Sequence, residues 1–371
     1  MTKRSVFCAV TIQEKDERWE YKGSWKETYV NLSSPLSSFC AQSCLCVDHF
    51  YSDLLYQPFL CSTLDIDDAW LEEENVDRRH NLTLEEFREA YEIPNIPVII
   101  TDVVTEWPAY KKWSREFLQN RFKEQDVLVG DVPMNFDSYL QYCDAQHDEM
   151  PLYLFDKYFC EKCPEMDAEY SVPMYFEEDL FSILGKEERP DHQWLIYGPY
   201  KSGSTFHKDP NSTSAWNAVV SGAKKWILYP PHVLPPGVLQ SQDGADVASP
   251  VSLMEWMISF YDIRCSQGVK PYECLVKEGE LLFVPHGWWH MVINVEESCA
   301  VTQNYVSRAN LAHVLNFLKS PRAGTLVSGV KTDEEKLTLY DRFKGALEKL
   351  RPDIMAIITE KEKKRKRERQ V

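Results

Sequence analysis

Nowhere in the 371 residues is there a run of about 18 apolar side chains, so no membrane-spanning helix is expected. The opening MTKRSVFCAV is briefly basic, but no apolar h-region follows it, and no secretory signal is read there. Positive charge is also in deficit. Lys and Arg total 41 against 58 Asp and Glu, a formal charge of -17. Non-specific nucleic-acid binding needs clustered Lys and Arg, so that class carries no strong signal. An acidic body suits a basic peptide instead. Zinc-finger spacing is missing too. The 11 cysteines are an odd set, and although Cys40, Cys44 and Cys46 lie close together, as do Cys160 and Cys163, they do not form two spaced ligand pairs. Free thiols in a reducing compartment are the reading. No internal repeat is visible.

What is present is material for a core: 44% hydrophobic residues and 13% aromatic. Residues 1–80 read as an irregular N-terminal extension ending in the acidic DIDDAWLEEENVD. At Thr83 a capping box with Glu86 opens a helix, with Phe87 and Tyr91 on one face. IPNIPVIITDVV follows as a strand flanked by prolines, and WSREFLQNRF as a helix capped by Ser114. Beyond about residue 195 the pattern changes to short strands and turns. Strands are predicted at 193–199, 214–220, 224–230, 280–285, 289–295 and 299–306, paired as antiparallel hairpins of a closed barrel or sandwich. The connection at 231–275 is long enough to suggest a substrate lid. A capping box at Thr332, with Leu337, Tyr340, Leu347 and Leu350 at helical spacing, predicts C-terminal helices over 331–371 that pack on the barrel or on a second copy. The chain ends in the basic EKEKKRKRERQV, which reads as a nuclear-localisation run or a solvated helix end.

Period-two alternation sorts the strand faces. His290, Val292 and Asn294 share one face, as do Thr302 and Asn304, while Asn217 opposes Trp216 and Ala218. Several strands thus carry a polar residue among apolar ones. Buried polar groups are costly unless satisfied, so these point to a polar ligand inside. FHKDP places His207 and Asp209 on one side of an extended segment. With His290 far downstream they make two imidazoles and one carboxylate, a set that leaves metal positions open and is typical of non-haem Fe(II) oxygenases. A zinc cupin is the competing metal reading, although such sites usually draw more ligands.

FHKDPNSTSAWNAVVSGAKKWILYPP together with GELLFVPHGWWHMVINVEESCAVTQNYV resembles the JmjC (jumonji C) family of Fe(II)- and 2-oxoglutarate-dependent oxygenases. TSAWN, GWWH and TQN are similar to its lysyl-hydroxylase and arginine-demethylase subgroup, and the likeness extends back through PLYLFD and SVPMYFEEDLF to about residue 81. The resemblance implies a mainly β fold with flanking helices, a double-stranded β-helix (cupin or jelly-roll barrel) over 81–330. It implies His207, Asp209 and His290 as the Fe(II) ligands and catalytic centre. Lys224 would pair with the distal carboxylate of 2-oxoglutarate, with Tyr153, Asn217, Thr302 and Ser204 (or Thr205) as further contacts, and O2 as the oxidant. Trp216 and Trp289 would pack the barrel walls. His286 stands where the family usually has a small residue and is left out of the site, and Lys208 should point away from the metal. The family chemistry hydroxylates a protein side chain, and on an N-methyl group that removes the methyl. Family members often dimerise through their C-terminal helices. RWEYKGSWKETYV looks like the segment that follows an F-box in some members, so a ubiquitin-ligase adaptor built on an idle barrel is the alternative.

Overall fold

The computed structural model describes residues 53–358, apart from 131, 242, 243 and 245, together with residue 360 and the backbone of four short strands between residues 4 and 30. The basic C-terminal run and Cys40, Cys44 and Cys46 lie outside the described residues.

Eight strands build the barrel: β1 (Gln193–Gly198), β2 (Gly203–His207), β3 (Ser214–Ser221), β4 (Ala223–Tyr229), β5 (Tyr272–Lys277), β6 (Leu281–Val284), β7 (Trp289–Asn294) and β8 (Ser298–Tyr305). They form two sheets. The small one has the order β2-β7-β4-β5, and β6-β3-β8-β1 is the middle of a larger one. All the barrel pairings are antiparallel. The chain crosses repeatedly between the two sheets, which is a jelly roll. The large sheet continues past β6 through Val98–Ile100 and Asp77–Arg79, and past β1 through Leu154–Asp156 and the hairpin Asp126–Val129/Val132–Asn135.

Alternation along each strand divides the apolar residues among three layers. Ala215, Val219, Trp226, Cys274, Leu282 and Val292 face each other inside the barrel. Trp216, Ala218, Phe283, Val301 and Tyr305 face the other way, where Phe87, Trp107, Trp113 and Phe176 of the preceding helical region cover them. Phe87 is placed there by a helix that begins with the expected Thr83–Glu86 capping box.

The third layer corrects the expected lid. The 231–275 connection ends earlier than expected, because Tyr272–Lys277 is strand β5. Its helix α1 (Leu253–Phe260) buries Leu253, Met254, Trp256 and Met257 against Phe206, Ile227, Met291 and Ile293 on the outer face of the small sheet. Fully burying each such side chain contributes roughly 1.5–3 kcal/mol. This helix is a second wall of core, with Trp289 among the side chains it shields.

Past the barrel come α2 (Leu311–Leu318) and α3 (Asp333–Leu350), the latter capped by Thr332 as the sequence indicates. Its buried stripe is Leu339, Phe343 and Leu347, packed with Phe181, Leu311 and Leu315. Leu337 and Leu350 are instead exposed, so the expected face is rotated by part of a turn.

Candidate active site

The centre of the site is made by an irregularity in β2. Ser204 pairs with Val292 and His207 with His290, so three steps on β2 match two on β7. The extra residue is a β-bulge. Strict alternation would put Ser204 and His207 on opposite faces. The bulge turns both inward, one opposite Val292 and the other opposite His290.

Asp209 follows in extended backbone, and the chain then turns sharply through Pro210–Ser212, with Asn211 at φ 56°. Asparagine tolerates that left-handed conformation. Its side chain is held from both sides, with Nδ2 donating to the Ser328 carbonyl at 3.0 Å and Oδ1 accepting from the Ser328 amide at 3.2 Å. The turn thereby fixes the carboxylate beside the two rings. One ligand atom each from His207, Asp209 and His290 lies within 4.8 Å of the others, and among the described residues this is the one group of three or more metal-ligating side chains drawn together in this way.

The donor chemistry suits a cation. Nδ1 of His207 is 2.7 Å from the Thr205 carbonyl, and Nδ1 of His290 is 3.2 Å from the Trp288 carbonyl. A carbonyl can only accept, so each Nδ1 carries a proton and Nε2 is the nitrogen of each ring that is left to face a cation. Burial, with His207 alongside, holds the His290 imidazole well below its ordinary range, and it stays neutral. Burial pushes the Asp209 carboxyl up, while His207 and Asn304 oppose that shift. Its Oδ2 is buried without a hydrogen-bond partner. A buried acceptor left unpaired is costly, and a divalent ion at this point would satisfy it.

Deeper in the same barrel stands Lys224. It is wholly buried, and its Nζ donates to Asn294 Oδ1 at 2.8 Å and to the Tyr153 hydroxyl oxygen at 3.0 Å. Burial pushes its ammonium down to about 7. Tyr153, held un-ionised by burial, keeps its O–H proton to donate. Lys224, Trp226 and Leu228 lie opposite Asn294, Val292 and His290 in turn, so Lys224 and His290 belong to one interior face. Asn217 and Thr302 are cross-strand partners on β3 and β8. Thr302 Oγ1 donates to the Trp216 carbonyl at 2.8 Å, whereas Asn217 Oδ1 is buried without a partner.

Three residues of this pocket, Asn294, Ser202 and Gly198, were not among the site contacts expected from sequence. Asn294 receives the lysine and donates through Nδ2 to Ser202 Oγ at 2.9 Å. Gly198 is packed so closely that a Cβ there would stand 2.5 Å from the Tyr153 ring and collide with Ser202 Oγ. Alternation already puts Asn294 on the inward face with His290. Lys224 is paired with it only by the β4–β7 register, which the sequence does not display. The side chains left out do stay outside. Lys208 lies over the Trp289 ring at 4.7 Å, and its Nζ donates to the Pro231 carbonyl. Trp216 and Trp289 are wall residues, and His286 turns toward His313.

A jelly-roll barrel with two imidazoles and a carboxylate converging at one end, and a buried lysine further in, defines a cupin-type oxygenase. Residues 130–310 match the family model described as a cupin-like domain. The chain is 48% identical over 360 residues to the arginine-specific demethylase JMJ22 of Arabidopsis thaliana, an alignment covering 96% of this chain and 71% of that protein. It is 40% identical over 244 residues to the bifunctional arginine demethylase and lysyl-hydroxylase psr-1 of Caenorhabditis elegans, covering 62% of this chain and 61% of psr-1. To the 2-oxoglutarate and iron-dependent oxygenase JMJD4 of Danio rerio it is 29% identical over 262 residues, covering 63% and 60%. The chain belongs to the JmjC family of iron- and 2-oxoglutarate-dependent oxygenases.

Proposed function

We propose that this protein hydroxylates a side chain of a protein substrate, either a lysine carbon or the N-methyl carbon of a methylated arginine or lysine. The observation that carries the reading is the pairing, inside one barrel, of the His207–Asp209–His290 cluster with the buried Lys224–Tyr153–Asn294 group. The first would hold Fe(II) through two Nε2 atoms and the unpaired Asp209 oxygen. The second is a receptor for one carboxylate. His290 and Asn294 are four residues apart on β7, roughly 13 Å between Cα atoms. The lysine stem reaches inward across part of that span, leaving room for a short dicarboxylic acid.

With 2-oxoglutarate and O2, bound iron supplies oxidising power to insert one oxygen atom into a C–H bond, with succinate and CO2 as coproducts. The chain's own residues orient and shield. Lys224 supplies the positive charge for the distal carboxylate, and Tyr153 donates its O–H to the same group. Asn217 offers an unpaired amide oxygen toward the interior, and the apolar walls at Trp226 and Val292 exclude water. The substrate class follows from the arginine- and lysine-directed names of the relatives and from the acidic body, which favours a basic segment. The basic run at the C-terminus supports a nuclear location.

The adaptor reading is weaker. A lysine buried at 0% exposure costs stability, and an idle scaffold gains nothing from keeping it. The deciding experiment is succinate formation from 2-oxoglutarate with Fe(II), with and without histone or splicing-factor peptides, followed by mass spectrometry of the peptide. Gain of one oxygen atom identifies hydroxylation, and net loss of a methylene identifies demethylation. Absence of both turnover and iron binding would sink the proposal.

A further inference from the structure

The two sheets of the barrel do not end together. The small sheet stops at β2, whereas the large one runs on past β1 into Leu154–Asp156. Inner-face side chains at that edge therefore lack full cover. Trp194 of β1 lies opposite Thr302 of β8, and Thr302 lies opposite Asn217 of β3, so all three share the inner face. Phe155 lies opposite Ile196, two residues from Trp194 and on the same face. The alternate positions Leu154, Leu195 and Tyr197 point outward into the core under the helical region. Trp194 and Phe155 are only half-buried, and their rings stand 5.3 Å apart, centroid to centroid, tilted by 37°. Large aromatic side chains left half open on the inner face of a barrel are a surface for a ligand. The place is close to the metal ligands. Thr302 is two residues, roughly 7 Å along β8, from Asn304, and the Asn304 side chain stands beside the Asp209 carboxyl.

This wall offers π faces and no ion to pair with. The one carboxylate on the two strands is Asp156, which points outward and accepts from Lys162 and from the Leu128 and Tyr158 amides. Lys157, just beyond, is bridged to Asp191 at 2.6 Å. Burial, with Arg189 nearby, lowers the His192 imidazole to about 4, so that ring is neutral. An aromatic face attracts a cation through its quadrupole, and Trp does so most strongly. A lysine ammonium is compact and strongly hydrated, and with no carboxylate to meet it keeps its water. A guanidinium is planar, more weakly hydrated and stacks on aromatic rings. Methyl groups on it add apolar surface to bury. A quaternary ammonium is recognised by a cage of rings. Two rings at 37° make an open wall instead, which suits a flat group.

We propose that Trp194 and Phe155 form the seat of the substrate's target side chain, and that the side chain they select is a methylated arginine. The assignment rests on the oxygenase reading for the fate of the bound group, while the binding itself needs no turnover.

The test is fluorine NMR of the full-length chain labelled with 5-fluorotryptophan. The Trp194 signal is the one missing from Trp194→Phe. Titration with a glycine-serine peptide carrying one asymmetrically dimethylated arginine should shift that signal to saturation. Matched peptides with lysine or trimethyllysine in its place should bind about tenfold more weakly. Phe155→Leu should weaken dimethylarginine binding about threefold to thirtyfold and retain the thermal stabilisation by added Fe(II). A Trp194 signal indifferent to the dimethylarginine peptide, equal affinity for the lysine or trimethyllysine peptide, or undiminished affinity in Phe155→Leu overturns the proposal. Absence of iron binding and succinate formation strikes the oxygenase reading alone, because the titration uses neither.

Discussion

Replacing Lys224 with methionine should act in opposite directions on stability and on cosubstrate binding. The lysine is wholly buried, and its ammonium is displaced from 10.5 to about 7 by desolvation. At about 1.4 kcal/mol per pH unit, carrying the charge inside costs the folded protein roughly 5 kcal/mol. The sign is fixed by the depressed value. The cost is complete below pH 7, shrinks as pH rises, and is gone once the unfolded chain also deprotonates, near 10.5. Methionine has similar length and no charge, so it removes the cost, but it also removes the donors to Asn294 Oδ1 and the Tyr153 oxygen. The Tyr153 hydroxyl keeps its own O–H, so Asn294 Oδ1 is the acceptor stranded, at about 1–3 kcal/mol. The net expectation at pH 6 is a stabilisation of roughly 2–4 kcal/mol, several degrees in melting temperature, disappearing toward pH 10. Binding moves the other way. Losing one partner of a buried ion pair costs about 3–5 kcal/mol, so affinity for 2-oxoglutarate should fall by roughly two to four orders of magnitude. Thermal melts across pH and calorimetric titration with 2-oxoglutarate measure the two effects. A variant that is destabilised at pH 6, or one that binds 2-oxoglutarate within tenfold of the parent, refutes the reasoning.

The same lysine makes the parent's affinity pH-dependent: the dicarboxylate needs the ammonium form, so 2-oxoglutarate binding should take up a proton and weaken up to about tenfold per pH unit above 7. An affinity that stays flat from pH 7 to 9 would mean the ammonium is already charged throughout. Gly198→Ala should displace the Tyr153 ring and Ser202, raising the KM for 2-oxoglutarate while leaving Fe(II) affinity intact, a split that kinetic and metal-binding assays separate. His207→Ala removes an exposed ring, so the melting temperature without metal should barely change while the thermal stabilisation by added Fe(II) is lost. Glu273→Ala should cost about 3–5 kcal/mol in denaturant unfolding. Glu273 is wholly buried and bridges Lys225 at 3.1 Å and Arg264 at 2.8 Å, and its loss strands Lys225 without its carboxylate. A change below 1 kcal/mol would show that the network is dispensable.

The strands carrying the site were legible because each is short, alternating and bounded by turn residues. β3, β4, β7 and β8 lie within a residue of their expected bounds. Two of the eight barrel strands were not read. β2 is GSTFH, too polar and too short to stand out, and β5 is YECLVK, which carries a glutamate that looks like a loop residue until Lys225 and Arg264 neutralise it. The lid expectation failed for a related reason. Length suggested a mobile cover, but the partner for the apolar face of α1 is the outer face of the small sheet, and that partnership is visible only in three dimensions. On α3, Leu337, Tyr340, Leu347 and Leu350 fit a helix, but periodicity alone does not say which of two neighbouring stripes is buried. Phe181 and Leu311 select Leu339, Phe343 and Leu347.

For the chemistry, the sequence by itself determined the kinds of atom available. His207 and Asp209 lie two residues apart, His290 follows a Gly-Trp-Trp turn, and two lysines, Lys224 and Lys225, stand near the start of β4 before an apolar run. Local geometry and residue type suffice for that, since side-chain direction in a strand repeats every second residue. Tertiary structure decided which of those atoms meet. The bulge between Ser204 and His207 brings the first imidazole onto the inner face, and the β4–β7 register delivers Asn294 to Lys224. Packing of α2 against the turn after Asp209 sets His313 beside His286. Register and helix docking are settled by the burial of many side chains at once, so no short stretch of sequence contains them.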